Sequence, residues 1–223
     1  MEHRNKPRLL DLFTGTGSVA RVAEELGYEV HTLDIDRRCK PDLCVDVLEF
    51  DYANAFKPGY FDVVWASPPC HTFSCARKCN IGRYVKGEMC TRETLARDEL
   101  GIGVPLLRRT IEIITYLQPT RWFIENPYTG TMKKHIDEPP AVYDYCMYGY
   151  PYRKRTAIWS NAVLDGCMCD RSHLVNGRHE MTAIGTSKVQ AGQGGGNSKK
   201  ERYAIPPELI VELLTPQGRC IRA

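Results

Sequence analysis

Residues 8–36 read RLLDLFTGTGSVARVAEELGYEVHTLDID, and this stretch decides the fold. Arg8 to Phe13 is a short apolar run ending in Thr14-Gly15-Thr16-Gly17. In the residues that follow, Val19, Val22, Ala23 and Leu26 recur at helical spacing. The order is strand, glycine turn, helix. Gly27 closes the helix, and Glu29 to Leu33 forms a second strand that ends at Asp34-Ile35-Asp36. A βαβ unit thus opens the chain.

The alternation continues downstream. Leu43 to Val47 is a short buried run, Phe61 to Ala66 a strong strand and Trp122 to Glu125 another. Between the last two, Leu100, Leu107, Ile111 and Ile114 mark a helical face over Glu93 to Leu117, interrupted near Gly101, Gly103 and Pro105. Strands alternating with helices predict an α/β fold, a mostly parallel sheet with helices on both faces. After Pro127, Val142 to Met147 and Thr156 to Ser160 read as a hairpin, and Pro206-Pro207 starts a last helix, ELIVELL. The expected organisation is one domain over 1–223: a catalytic and cofactor-binding core at 1–160, a small irregular recognition lobe at 161–200, and a helix at 201–223 returning to the core.

Composition bounds the function. With 223 residues, 43% hydrophobic and 26% charged, the chain can build a full core and falls outside the disordered, collagenous and coiled-coil classes. No run approaches the roughly 18 apolar residues of a membrane span, and the amino terminus lacks a signal-peptide core, so a cytoplasmic or nuclear location is expected and no membrane partner. Ten cysteines at irregular spacing fit reduced thiols better than a disulfide framework. The net charge of +3 is unevenly spread. Residues 1–119 carry 16 basic against 17 acidic side chains, and residues 120–223 carry 14 against 10, so a phosphate-facing surface belongs in the second half.

Three motifs carry chemistry. The turn Thr14 to Gly17 lets a ligand approach the backbone and turns helix amides toward an anion, as phosphate or carboxylate sites require. Asp34 follows about twenty residues later, where a carboxylate can accept ribose hydroxyls, and Asp46 ends the third run. The second motif is Ser67-Pro68-Pro69-Cys70-His71-Thr72-Phe73-Ser74, directly after a strand. Its proline pair stiffens the loop and presents Cys70 as a candidate nucleophile. The third, Glu125-Asn126-Pro127, brings a carboxyl group to the same sheet edge, giving a nucleophile and a general acid in one cleft.

Together with Tyr152-Arg153-Lys154-Arg155, these motifs resemble the DNA cytosine-C5 methyltransferase family, in order and over roughly residues 8–160. The resemblance implies that S-adenosylmethionine donates a methyl group to cytosine C5 in DNA, leaving S-adenosylhomocysteine. It implies Cys70 as the nucleophile at C6, Glu125 as the acid at N3 with a pKa raised by burial, and Arg155 and Arg153 as holders of the pyrimidine O2 and the active-site loop. Around the cofactor it places Phe13, Ile35 and Asp46 at the adenine, Thr14, Gly15 and Gly17 at the methionine end, Asp34 on the ribose, with Pro69 alongside. Asn197 and Ser198 match a late Gly-Asn motif that folds back to the cofactor, although RYAIPPEL matches that position equally.

The chain departs from the family pattern at His71 and Pro151, where glutamines are usual. Only about forty residues separate Arg155 from Gly196, far fewer than the family's target-recognition region, which would suit a compact monomer serving a small modification system. Recognition is then expected to be short, supplied by a partner, or built from residues 75–100 and 164–200, where Arg77, Lys78, Arg83 and Lys86, or Lys199, Lys200 and Arg202, could meet phosphates. Two other readings stay open: an amino-methyltransferase acting on cytosine N4 or adenine N6 through the SPPC loop, and a nucleic-acid-binding homologue without turnover. RNA is a less favoured substrate than DNA. Cys167, Cys169, His173 and His179 offer four zinc ligands at an uncommon spacing, which is more simply read as loop, so no metal is expected.

Overall fold

The computed structural model describes residues 6–85, 87–174, 177, 179 and 203–215. Five strands run parallel: β1 (Arg8–Leu12), β2 (Glu29–Asp34), β3 (Leu43–Cys44), β4 (Val63–Ala66) and β7 (Arg121–Pro127). A short antiparallel hairpin, β5 (Tyr84–Val85) and β6 (Glu88–Met89), stands apart from them. The last two strands, β8 (Ala141–Asp144) and β9 (Arg155–Ser160), pair antiparallel, and β9 also lies antiparallel against β7. The seven-stranded order is β3-β2-β1-β4-β7-β9-β8.

Alternation within each strand explains why both faces are covered. Leu10 and Leu12 of β1, Val64 and Ala66 of β4, and Ile124 of β7 face one way, onto Leu107, Ile113, Ile114 and Leu117 of helix α4 (Val104–Leu117). Leu9, Val63, Trp65 and Phe123 face the other way. They pack on Val19, Val22 and Ala23 of α1 (Ser18–Glu25) and on Leu209, Ile210 and Leu213 of α5 (Pro207–Leu214). In-register pairing sets Trp65 beside Phe123, with ring centroids 5.2 Å apart. Strands buried on both faces need continuous apolar runs, and RLLDL, VVWA and WFI supply them.

Some boundaries differ from the sequence reading. β3 keeps only Leu43 and Cys44, because Asp46 bonds the Leu48 amide in a turn instead of extending the ladder. The helical stretch before β7 is continuous: α3 (Arg92–Asp98) passes through a π-helical segment, Glu99–Gly103, into α4. Pro105 stands at the start of α4, directly after the π-helical segment. A very short helix, α2 (Tyr52–Ala55), precedes β4. No helix among the described residues is long and apolar enough to cross a membrane.

Asp11 is the exception within β1. It is buried on the α1 side, where the Thr14 hydroxyl donates to Oδ2 at 2.8 Å, and burial pushes its carboxyl up to about 7, reinforced by the charge of Asp34. Its native pKa lies above the ordinary value of 3.8. Between the two, the folded chain therefore keeps a proton that the unfolded chain has lost, and stability falls as pH rises. The difference is worth about 4 kcal/mol. The thermal midpoint should decline between about pH 4 and pH 7 through this group. Asp11→Asn, which keeps an acceptor for Thr14, should flatten the decline and be the more stable protein at pH 8 by calorimetry.

Candidate active site

The functional motifs meet at the carboxyl rim of the parallel strands. After β1, Phe13 takes a positive φ of 63° and its amide, with that of Thr14, bonds the Leu33 carbonyl of β2. Gly17, at φ 69°, turns the chain into α1, whose first turn has no side-chain cap. The Gly15 amide donates to Asp34 Oδ2 at 2.9 Å, so the first two rim elements are joined. Asp34 Oδ1 takes the Asp36 amide. Beside it Ile35 is 66% exposed, a large apolar side chain left uncovered at the strand end. Asp46 lies two residues beyond Cys44, the residue paired with Asp34.

After β4, the loop bearing Cys70 is pinned by its neighbours. Ser67 bonds back to Leu12, Thr72 Oγ1 donates to the Pro69 carbonyl, and Asn126 Nδ2 donates to the Pro68 carbonyl at 2.9 Å. The Phe73 carbonyl accepts from the Thr131 amide. The π-helical segment closes the other side: a Cβ on Gly103 would stand 2.6 Å from Thr72 Oγ1 and 2.8 Å from the Phe73 ring. Cys70 is held half-buried in this frame.

Glu125 is buried where β7 meets β9. The hydroxyls of Thr156 and Tyr145 both donate to its Oε1, and Thr156 lies across the ladder opposite Pro127. Cys70 and Glu125 share one electrostatic environment. Burial pushes the Cys70 thiol up, the charge of Glu125 pushes it further, and Lys154 works against both. Lys154 is half-buried, with Nζ 4.6 Å from the centroid of the Tyr145 ring.

Of the two arginines, Arg155 forks onto Asp144, with Nε to Oδ1 at 2.9 Å and Nη2 to Oδ2 at 2.7 Å, while Arg153 is exposed. Burial alone would raise the fully buried Asp144 carboxyl. The Arg155 fork and the Cys169 amide hold it below the usual range instead. Asn197 and Ser198 lie outside the described residues, as do Lys86, Lys199, Lys200 and Arg202. Arg77, one of the cations that could meet phosphate, pairs its Nη2 with Asp98 at 2.6 Å.

The chain is 43% identical over 217 residues, 93% of its length and 98% of its relative's, to a protein of Frog virus 3 (isolate Goorha) described as "Probable DNA (cytosine-5)-methyltransferase". The chain belongs to the DNA (cytosine-5)-methyltransferase family. Its mostly parallel sheet is the α/β arrangement of such enzymes. No protein-family model matches the chain. Among solved structures, it is similar to a protein described as a DNA modification methyltransferase encoded within an Escherichia coli prophage, with a TM-score of 0.46 and 17% identity over 70% of this chain and 46% of that one. Another is the Entamoeba histolytica methyltransferase EhMeth, with a TM-score of 0.48 and 13% identity over 70% of this chain and 53% of that one. The chain thus spans about half the length of each of these solved chains.

Sequence reading alone did not single out Tyr145, Thr156, Asp144 or Lys154 as site residues. Lys154 lies within YRKR, but nothing in the sequence says which of those cations acts on the thiol. The charge contacts make a direct forecast. In the wild-type methyltransferase, alkylation of Cys70 by iodoacetamide, followed by mass spectrometry of its peptide, should rise only above the ordinary thiol range. Glu125→Gln should move that rise to lower pH and Lys154→Met to higher pH. A profile indifferent to both changes would remove Glu125 and Lys154 as its cause.

Proposed function

We propose that this chain methylates cytosine C5 in DNA, with S-adenosylmethionine as methyl donor, Cys70 as nucleophile and Glu125 as the acid at N3. The observation that carries the reading is the convergence of Cys70 and Glu125 at one sheet rim, a thiol beside a buried carboxyl group whose charge raises the thiol's pKa. The residues of the neighbouring rim suit the cofactor. Carboxylates at the ends of β2 and β3 match the hydroxyls and amino group of a nucleoside, and the uncovered Ile35 with the half-buried Phe13 offers apolar surface to a purine. Asp34, Asp46, Ile35 and Phe13 would hold that end, and the turn Thr14 to Gly17 the amino-acid end, with Pro69 beside the reacting centre. The bound cofactor supplies an electrophilic methyl group on a sulfonium.

C5 of cytosine is a weak nucleophile, and the residues of this chain answer that. Cys70 adds to C6, pushing electron density toward C5, and Glu125 relieves the developing charge by donating at N3. Tyr145 and Thr156 hold the Glu125 carboxyl in place. The raised Cys70 pKa keeps the resting thiol protonated, so that proton must pass to a base as the sulfur adds to C6. Once C5 carries the methyl group, loss of the C5 proton expels Cys70. Arg155, set by Asp144, is assigned to the pyrimidine O2 and Arg153 to the active-site loop.

A cytosine in duplex DNA must leave the stack, at a cost of a few kcal/mol. The hairpin that follows the catalytic loop suits that task. Tyr84 is 74% exposed, and Ile81, Val85 and Met89 are also uncovered beside Arg83. Apolar and aromatic side chains on an isolated two-stranded ribbon are poor for stability alone but suit a surface that stacks against bases. A cavity of about 590 Å³ opens between this hairpin and His71.

DNA carrying 5-fluorocytosine, incubated with S-adenosylmethionine and the protein, should give an adduct that survives denaturation and disappears in Cys70→Ser. N4-methylcytosine or N6-methyladenine without an adduct would overturn the reading, and so would the absence of product and adduct on any nucleic acid. Glu125→Gln should lower turnover at least about 100-fold while cofactor affinity stays within a few-fold. Tyr84→Ala should weaken DNA binding about tenfold at fixed salt, read by fluorescence anisotropy, and leave cofactor affinity unaltered.

A further inference from the structure

Beside the active-site rim lies a second cluster that methyl transfer does not use. Cys146, Cys169, His173 and His179 each bring a sulfur or ring nitrogen to a common point, all within 4.8 Å of one another. Cys169 Sγ stands 3.5 Å from His179 Nε2 and 3.9 Å from His173 Nε2. In a tetrahedral zinc site, with Zn–S of about 2.3 Å and Zn–N of about 2.0 Å, sulfur and nitrogen ligands sit about 3.5 Å apart. One of these edges already has that length and the other is slightly long.

We propose that Cys146, Cys169, His173 and His179 bind Zn²⁺ as a closed, structural Cys2His2 site. Two thiols and two imidazoles form a borderline-soft donor set suited to zinc and unsuited to calcium or magnesium, which take oxygen ligands. Four protein ligands fill the tetrahedron and leave no position for a reacting water, so the role is to hold structure.

The local chain is built to deliver these ligands. Cys146 sits in the 3-10 turn Tyr145–Tyr148 that follows β8. Cys169 is brought beside it by a parallel bridge between Tyr143 and Cys167 and by its own amide, which donates to Asp144 Oδ2 at 2.9 Å. Asp170 then takes the amide and hydroxyl of Ser172, and Arg171 turns through φ 67°, folding His173 back onto Cys169. The two histidine rings stand 5.2 Å apart. Cys167, which sequence spacing would choose as the first ligand, is buried in the core cluster with Tyr143 and Leu209. Its place is taken by a cysteine 23 residues upstream of Cys169, which no local motif could reveal.

The site has a consequence for the rim next to it. Asp144 takes the Cys169 amide on the same carboxylate that receives the Arg155 fork. Zinc at Cys169 therefore fixes the loop that orients Arg155. The metal site itself does not depend on the methyl-transfer reading.

The full chain, purified without a histidine tag, should carry one zinc per molecule by inductively coupled plasma mass spectrometry. X-ray absorption at the zinc edge should give two sulfur and two nitrogen neighbours. Co²⁺ exchanged into the site should show thiolate charge transfer and the visible bands of tetrahedral cobalt. Cys146→Ser and His173→Ala should lose the metal, and Cys167→Ala should keep it. Absence of tight zinc and of cobalt–thiolate bands in the unmodified chain would overturn the proposal. So would a disulfide between Cys146 and Cys169 in place of two titratable thiols, or metal retained in Cys146→Ser and lost in Cys167→Ala. Because the spectroscopy uses the unmodified chain, a variant that fails to fold leaves the test intact.

Discussion

A carboxyl group buried between two strands must be satisfied there, and at Glu125 that requirement ties together the last third of the chain. The desolvation of an acid on β7 is offset by hydroxyls from Thr156 on β9 and from Tyr145 in the turn after β8. Both donors reach it only because β9 runs antiparallel to β7, which brings the start of β9 to the rim where the parallel strands end. The same reversal carries Arg155 and Lys154 to that rim. Arg155 then finds Asp144 directly across the β8–β9 ladder, at its register partner. Truncating Thr156 would therefore loosen a hydrogen-bonded carboxyl, the neighbour that perturbs Cys70, and the loop holding Arg155, because all hang on one strand pairing.

Much of the fold was legible because parallel strands covered on both faces demand apolar runs that few other structures need. RLLDL, VVWA and WFIE announce themselves, and a glycine turn after the first, a proline pair after the second and Asn126-Pro127 after the third mark the rim. Cys70, Glu125 and Asp34 were legible as candidates for the same reason, since each lies at or near the carboxyl end of its strand. What stayed hidden depends on pairings between distant segments. Thr156 and Tyr145 are ordinary residues until register sets them on Glu125, and Asp144 is a strand-end acid until Arg155 arrives opposite. Cys146 and Cys169 are 23 positions apart, and no local spacing reaches across β9 to join them. The helix before β7 hid its continuity because Gly101, Gly103 and Pro105 read as breaks. The glycine at 103 is instead the contact that lets the helix lie on Thr72 and Phe73.

These constraints also bear on how the loop bearing Cys70 meets DNA in the proposed reaction. The loop bearing Cys70 is pinned from Pro68 to Phe73 by Asn126, Thr131 and the helix over Gly103, so it offers the thiol from a fixed position. Arg77, just beyond, pairs with Asp98 of α3 and ties this segment to the helix. In the proposed reaction, substrate meets the exposed hairpin with Tyr84 on one side and Arg155, at the start of β9, on the other. Rigid positioning at the centre, with contacts at two flanking ribbons, allows a small surface to grip substrate. Each contact acts against a catalytic group that pays no further entropy to find its place.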